Sequence, residues 1–229
     1  MSSRREAIFV ITNWLQTESF PDRLISDSPD RAFVTDLVYT TVRRYRTLDW
    51  AVRKFVKKMP RGETGAALLT GACQILFMPK VADYAAVNES VEAAKMASKK
   101  TSGLVNGVLR NLLRQRDAVL AELAAQPPGI RLSHPDALIT RWTGFFGADE
   151  TAALCEWNNT PADTFLAHPP SSDRPPYSLL ARGTRVENAP GYDEGAFIVQ
   201  DPATAASLDL LDARPGMRVL DACAAPGGK

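Results

Sequence analysis

The chain has 229 residues, 45% of them hydrophobic and 23% charged, the texture of an ordinary globular protein with a core and a length that suits one or two domains. Met1–Glu6 does not read as a secretory signal, and the longest nearly apolar stretch, Ala66 to Met78, is too short to span a bilayer and is interrupted by Thr70, Gly71 and Gln74. Three widely spaced cysteines (Cys73, Cys155, Cys223) make neither a disulfide framework nor a zinc site, so a cytoplasmic, reduced, metal-free monomer is expected.

Charge is unevenly spread. Through Ala125 the sequence holds 19 Lys+Arg against 13 Asp+Glu; the remainder holds 8 against 13. That asymmetry argues for units with different tasks.

Residues 1–126 read as an all-helical bundle. Ala7, Ile11, Trp14 and Leu15 share the face of a first helix. Asp30 is placed to cap a second, with Phe33, Val34, Leu37, Val38 and Thr41 inward. Leu48, Val52, Phe55 and Val56 form a third stripe that ends before Met59-Pro60, because proline disfavours helix at the residue before it. Leu68, Leu69, Ala72, Ile75 and Leu76 form a fourth, closed by Pro79. Val87, Val91 and Ala94 mark a fifth; Leu104, Val105, Val108, Leu109, Leu112 and Leu113 mark a sixth. Short connectors suit a compact bundle.

Pro127-Pro128-Gly129 reads as a linker into a connecting module over residues 127–200. Pro135–Phe146 and Asp149–Asn158 are helical in pattern, with Asp149-Glu150 suited to a helix N-terminus. The Pro-rich stretch beyond carries short apolar runs at Thr164–Ala167, Thr184–Glu187 and Ala196–Val199, expected as strands of a small α+β module. A last part, 201–229, reads as a helix over Asp201–Leu211 and a buried strand over Met217–Ala222.

That strand runs into Asp221-Ala222-Cys223-Ala224-Ala225-Pro226-Gly227-Gly228-Lys229, an acid followed by a small-residue loop with paired glycines. In a doubly wound sheet the first strand delivers a ligand-binding loop at this point, and glycine lets backbone amides approach the ligand. A phosphate-binding Walker loop would need glycine where Cys223 stands, and a dinucleotide fingerprint would need G-x-G-x-x-G, which is absent. A plain glycine turn after a buried strand remains open on these grounds.

The nine residues Asp221–Lys229 resemble the first S-adenosylmethionine motif of RNA cytosine-5 methyltransferases, as does the approach through Phe197–Ala203 and Leu210–Gly216. Independently, Asp30–Phe33, Leu37–Tyr39, Arg43–Arg46, Leu48–Trp50, Tyr84–Lys95 and Gly103–Arg110 resemble a NusB-like RNA-binding domain, and Ser133–Pro135 and Trp157–Pro161 resemble the connecting module. This order is similar to bacterial 16S rRNA cytosine-5 methyltransferases of the Sun/RsmB type. At Ala167-His168-Pro169-Pro170 the chain departs from that family's Arg-x-Asn strand. The resemblance implies a mainly α fold: a NusB-like bundle, a small α+β module and the first strand of a Rossmann-like methyltransferase domain. It also implies S-adenosylmethionine as cofactor, held by Cys223, Ala224, Ala225, Pro226, Gly227, Gly228 and Lys229, and ribosomal RNA as partner.

Seven cations (Arg43, Arg44, Arg46, Arg53, Lys54, Lys57 and Lys58) lie within 16 residues that hold one acid, Asp49, and Arg4 and Arg5 open the chain. Such a cluster attracts phosphates, and these nine residues are the RNA-contact candidates. Arg110 and Arg114 share a helix face, and Tyr45 could stack on a base or simply pack. Asn88, Glu89 and Asn106 are expected as caps or buried hydrogen-bonding groups.

Enzymes of this family add a cysteine thiolate to cytosine carbon-6 so that carbon-5 can attack the methyl group, and a base then removes the carbon-5 proton. Their two cysteines lie downstream of the cofactor loop in Pro-Cys and Thr-Cys contexts. Cys73 and Cys155 sit in helical apolar stripes, Cys223 belongs to the loop, and His134 and His168 each precede a proline. No catalytic residue is therefore assigned. The expectation is a truncated enzyme whose Arg214–Lys229 segment is poorly anchored, since Val219 and Leu220 lack the rest of their sheet. The competing reading is a stand-alone NusB-like RNA-binding or antitermination module, and a weaker one is a scaffold with acidic partners.

Overall fold

The computed structural model describes residues 2–17, 19–97, 99–169, 173, 175–205, 210–222 and 224. The chain divides into two compact units, Met1–Thr160 and Pro161–Lys229.

The first unit is helical: α1 (Ser3–Thr17), α2 (Arg31–Arg43), α3 (Tyr45–Arg53), α4 (Gly62–Phe77), α5 (Asp83–Ala97), α6 (Lys99–Arg114), α7 (Arg116–Ala124), α8 (Pro128–Arg131), α9 (Asp136–Phe146) and α10 (Ala148–Asn158). Helix α4 is its axis. Gly65 through Ile75 are all buried, as a helix apolar around its whole circumference must be, and α1, α2, α3, α5 and α6 pack on it. Each neighbour contributes one stripe: Ile8 and Ile11 from α1, Leu37 from α2, Leu48 from α3, Val87 and Ala94 from α5, and Leu109 and Leu112 from α6. At Gly71 the side chain of Leu109 comes so close that a Cβ there would meet its Cδ1 at 2.5 Å, which brings α4 and α6 together.

The six sequence-read stripes fall on α1 to α6, with local corrections. Leu15 and Leu104 are exposed, and Ile8 and Val10 of α1 are buried in addition, because partners on several sides widen the buried arc. Helix α3 stops at Arg53, short of Met59-Pro60, where its last turn tightens: the Phe55 amide bonds the Val52 carbonyl three residues back, at 2.9 Å. Asp30 makes no capping bond; its carboxylate accepts from Ser3 Oγ. Helix α7, with two buried residues (Val119, Leu123), gave too short a pattern to register.

Pro127-Pro128-Gly129 is not an open linker. Pro128 opens the single turn of α8, which packs on α3. Thr47 Oγ1 donates to the Ile130 carbonyl at 2.6 Å, and Ser133 Oγ accepts from the Arg46 amide at 3.1 Å. Packing therefore draws the division of the chain at 160/161, whereas the boundaries expected at 126/127 and 200/201 follow changes in sequence texture. Gly147, at φ 83°, turns α9 into α10, a conformation that a side chain disfavours, and Asp149 and Glu150 occupy the first turn of α10.

The second unit holds a small antiparallel sheet of β1 (Phe165–Ala167), β2 (Tyr177–Leu179) and β3 (Ile198–Val199) in the order β2-β1-β3, with Leu166 opposite both Ser178 and Val199. Its core is Leu166, Ala189 and Phe197. Two of the three expected strands form. The third, at Thr184–Glu187, is irregular at Thr184-Arg185 and then enters the 3-10 segment Val186–Asn188, and Tyr177–Leu179 takes the place in the sheet. Of the expected helix at Asp201–Leu211, Pro202–Ala205 is a 3-10 turn and 206–209 lie outside the described residues. Met217–Ala222 forms no strand, and Val219 and Leu220 are 56% and 88% exposed. A lone strand has no ladder partner for its amides and no facing layer for its side chains, so the buried strand expected there does not form.

Candidate nucleic-acid interface

Folding sorts the nine cations into three groups by what they meet. The first group is built into the bundle. Arg4 Nε donates to Gln74 Oε1 at 2.8 Å, and its guanidinium lies over the Phe33 ring at 5.0 Å. Gln74 is itself buried and donates to the Thr70 carbonyl and to Ser90 Oγ, so Arg4 completes a polar network inside the apolar core. Burial pulls the pKa of Arg4 down, with Glu89 and Asp30 opposing. Arg5 forks onto both carboxylate oxygens of Glu63 at 2.6 and 3.0 Å, and Arg44 lies over Phe77 at 5.0 Å, its pKa also lowered by burial.

A second group is neutralised nearer the surface. Arg46 donates to both carboxylate oxygens of Asp136 (3.1 and 2.9 Å) and to the His134 carbonyl, which ties α3 to the start of α9. Its hydrogen bond holds the Asp136 carboxyl below the ordinary value. Arg53 pairs with Asp49 one turn earlier at 2.6 Å; Lys54 pairs with Glu122 of α7 and lies over Trp50.

The third group is open to solvent in charge. Arg43 lies over the Tyr39 ring at 5.6 Å, and Lys57 and Lys58 are exposed in the turn between α3 and α4. Tyr45 packs edge-on against Trp14 at 5.3 Å, and burial pushes its hydroxyl pKa up, so its ring serves the core.

The sequence reading missed the acids and amides that answer the cations across the fold: Glu63, Gln74, Glu122 and Asp136. Their partners lie 58 to 90 residues away, beyond any local pattern. One signal was available, the i, i+4 spacing of Asn106 and Arg110, whose side chains bond at 2.8 Å.

Burial drives the Cys73 thiol up to about 12, and Cys155 is buried with its thiol pushed up for the same reason. Neither is poised as a thiolate. His134 Nδ1 is 2.8 Å from the Leu132 carbonyl and its Nε2 is 3.4 Å from Asn158 Nδ2; His168 Nε2 is 2.8 Å from Ser178 Oγ across the sheet. Both histidines are tied into local structure. Among the described residues no group of three or more His, Cys, Asp or Glu could hold a metal, and no helix is long and apolar enough to cross a membrane. Of the cofactor-loop residues, Cys223 and Ala225 to Lys229 lie outside the described residues, and Ala224 is exposed.

Comparison with known proteins adds to this geometry. Residues 1–114 match the NusB family. Over 89% of its length the chain is 32% identical to the ribosomal RNA small subunit methyltransferase B of Pseudomonas putida, covering 52% of that protein. The protein of the same name from Thermus thermophilus is 36% identical over 91% of the chain and 50% of its own length. That from Escherichia coli is 30% identical over 90% of the chain and 52% of its own length. The chain spans about half the length of the curated relatives it matches. By sequence, then, residues 1–114 match the NusB family, and the chain is similar over about nine-tenths of its length to one half of the ribosomal RNA small subunit methyltransferase B proteins.

Proposed function

We propose that this chain is the RNA-binding front part of an S-adenosylmethionine-dependent rRNA cytosine-5 methyltransferase, with residues 1–126 as the RNA-holding domain, 127–200 as the connecting module and 201–229 as the start of the cofactor domain. The observation that carries the reading is the order of two unrelated signatures in one chain: a NusB-family match over 1–114 and the Asp221–Lys229 motif. Homology to methyltransferases named for small-subunit rRNA supports both at once.

S-adenosylmethionine would supply the methyl group. Its assigned holders, Cys223 to Lys229, lie outside the described residues apart from Ala224. What these residues can do is hold RNA by charge. Within the nine-residue candidate set, Lys57, Lys58 and Arg43 meet no carboxylate among the described residues, whereas Arg4 and Arg5 serve the bundle first.

The test is a filter-binding titration of the 229-residue chain against transcribed small-subunit rRNA fragments over a range of salt. Affinity should fall linearly with the logarithm of salt concentration, each neutralised phosphate contributing a slope of about 0.7 to 0.9. Tritiated S-adenosylmethionine added to the same mixture should leave the RNA unlabelled. Label on cytosine would show that this chain carries a nucleophile of its own.

A further inference from the structure

Helix α6 includes the segment Gly103-Leu104-Val105-Asn106-Gly107-Val108-Leu109-Arg110, which no site residue named so far occupies. Its inner face is spent on the core, since Val105, Val108, Leu109 and Leu112 are buried. At 100° per residue, Gly103, Asn106, Gly107, Arg110, Asn111 and Arg114 fall on the opposite arc. That arc contains cations, amides and glycines but no acid; α6 as a whole has four cations and no Asp or Glu.

Among the described residues, neither Arg110 nor Arg114 on this face pairs with a carboxylate. Elsewhere in the first unit Arg5, Arg46, Arg53, Lys54, Lys95 and Arg116 each meet a carboxylate. Arg110 instead donates to Asn106 and Arg114 to Asn111, neutral amides of the same helix that hold the guanidinium groups along the surface without cancelling them. Asp83, in the first turn of the neighbouring helix α5, pairs with Arg116.

The surface between the cations is also bare. Gly103 and Gly107 are exposed, and a Cβ built on either would meet nothing within 4 Å. Glycine inside an exposed helix is less favourable than alanine, and core packing does not require it at these two positions. With no side chain there, a ligand can approach the helix backbone itself. From Gly103 to Arg114 the track is about 16 Å long at 1.5 Å per residue, enough for two or three successive phosphates of a single strand.

From these features we infer that the outer face of α6 is a docking track for the RNA sugar-phosphate backbone, with Arg110 and Arg114 as the phosphate ligands, oriented by Asn106 and Asn111, and Gly103 and Gly107 as the floor. The inference rests on the RNA-binding reading above and names where on the surface that binding occurs.

The test uses the 229-residue chain and the same transcribed rRNA fragments. The double variant Arg110→Ala/Arg114→Ala should lower affinity about tenfold at low salt and reduce the salt slope by about one to two, with the melting temperature little changed. Gly107→Ala separates contact from charge. It should hold or raise the melting temperature, because alanine favours helix, yet lower RNA affinity by about threefold or more through the methyl group it places on the floor. Wild-type binding to RNA with both variants unaffected would overturn the α6 track while sparing the RNA-binding reading. So would loss of binding confined to Lys57→Ala/Lys58→Ala, which would move the contact to the turn before α4. Absence of salt-dependent binding by the wild-type chain would overturn both.

Discussion

The two units of this chain, 1–160 and 161–229, make opposite use of their apolar residues. In the first, the buried span of α4, Gly65 through Ile75, is surrounded by other helices, and α1, α2, α3, α5 and α6 each contribute buried side chains to it. In the second, the core is three residues (Leu166, Ala189 and Phe197), while Leu179, Val199, Leu210 and Leu220 are more than half exposed. Helices satisfy their own backbone and need only a partner for one face. Strands need neighbours for backbone and side chains alike, so short strands are far more dependent on context. The difference explains why α1 to α6, α9 and α10 of the first unit are legible by periodicity and the elements of the second only in part.

The largest test of the contrast is Leu109→Ala. It empties a fully buried site between α6 and Gly71 of α4 and should lower the stability of the first unit by about 3 kcal/mol, read from urea unfolding followed by far-ultraviolet circular dichroism. A loss below about 1 kcal/mol would mean that the α4–α6 seam is not the center of the bundle.

Phe197→Ala should remove up to about 3 kcal/mol from the second unit, because this ring is its largest core residue and the edge partner of His168. Amide exchange of β1 and β2 should become fast while that of α4 and α6 stays slow. Equal acceleration in both units would show that they unfold together.

A subtler effect concerns Arg46 and Asp136. The folded pKa of Asp136 is depressed, so this pair adds stability above the ordinary carboxylate value near 3.9 and loses it as pH falls through the depressed one. A carbon-13 titration should place the Asp136 carboxyl below that value in the parent chain and near it in Arg46→Ala. Were the two titrations to coincide, the guanidinium would not be acting on the carboxylate. At the small end, Asp49→Ala, which breaks only the exposed pair with Arg53, should leave the melting temperature unchanged within error.

Reading the sequence for function met a different obstacle. The run of seven cations between Arg43 and Lys58 was correctly seen as dense, but density does not say which charges survive folding. Arg46 is answered by Asp136 and Lys54 by Glu122, from segments 90 and 68 residues away, whereas Arg110 and Arg114, in a helix with no acids, keep their charge. The Asp221–Lys229 motif was legible because it depends on residue identity alone. Met217–Ala222 looks like a strand for the same local reason, and fails as one where no partner strand lies beside it.

What the sequence determined by itself is therefore what is set over one or two helical turns: the stripes of α1 to α6, the acids opening α10 and the residues of the glycine-rich loop. Tertiary structure alone decided the long-range pairings: the burial of Arg4 with Gln74 and Ser90, the docking of α8 on α3, the substitution of Tyr177–Leu179 for Thr184–Glu187 in the sheet, and which cations remain unanswered. The reason is one of range. Hydrophobic periodicity acts between residues three or four apart, whereas a charge or a strand is completed by whatever the fold brings to it from elsewhere in the chain.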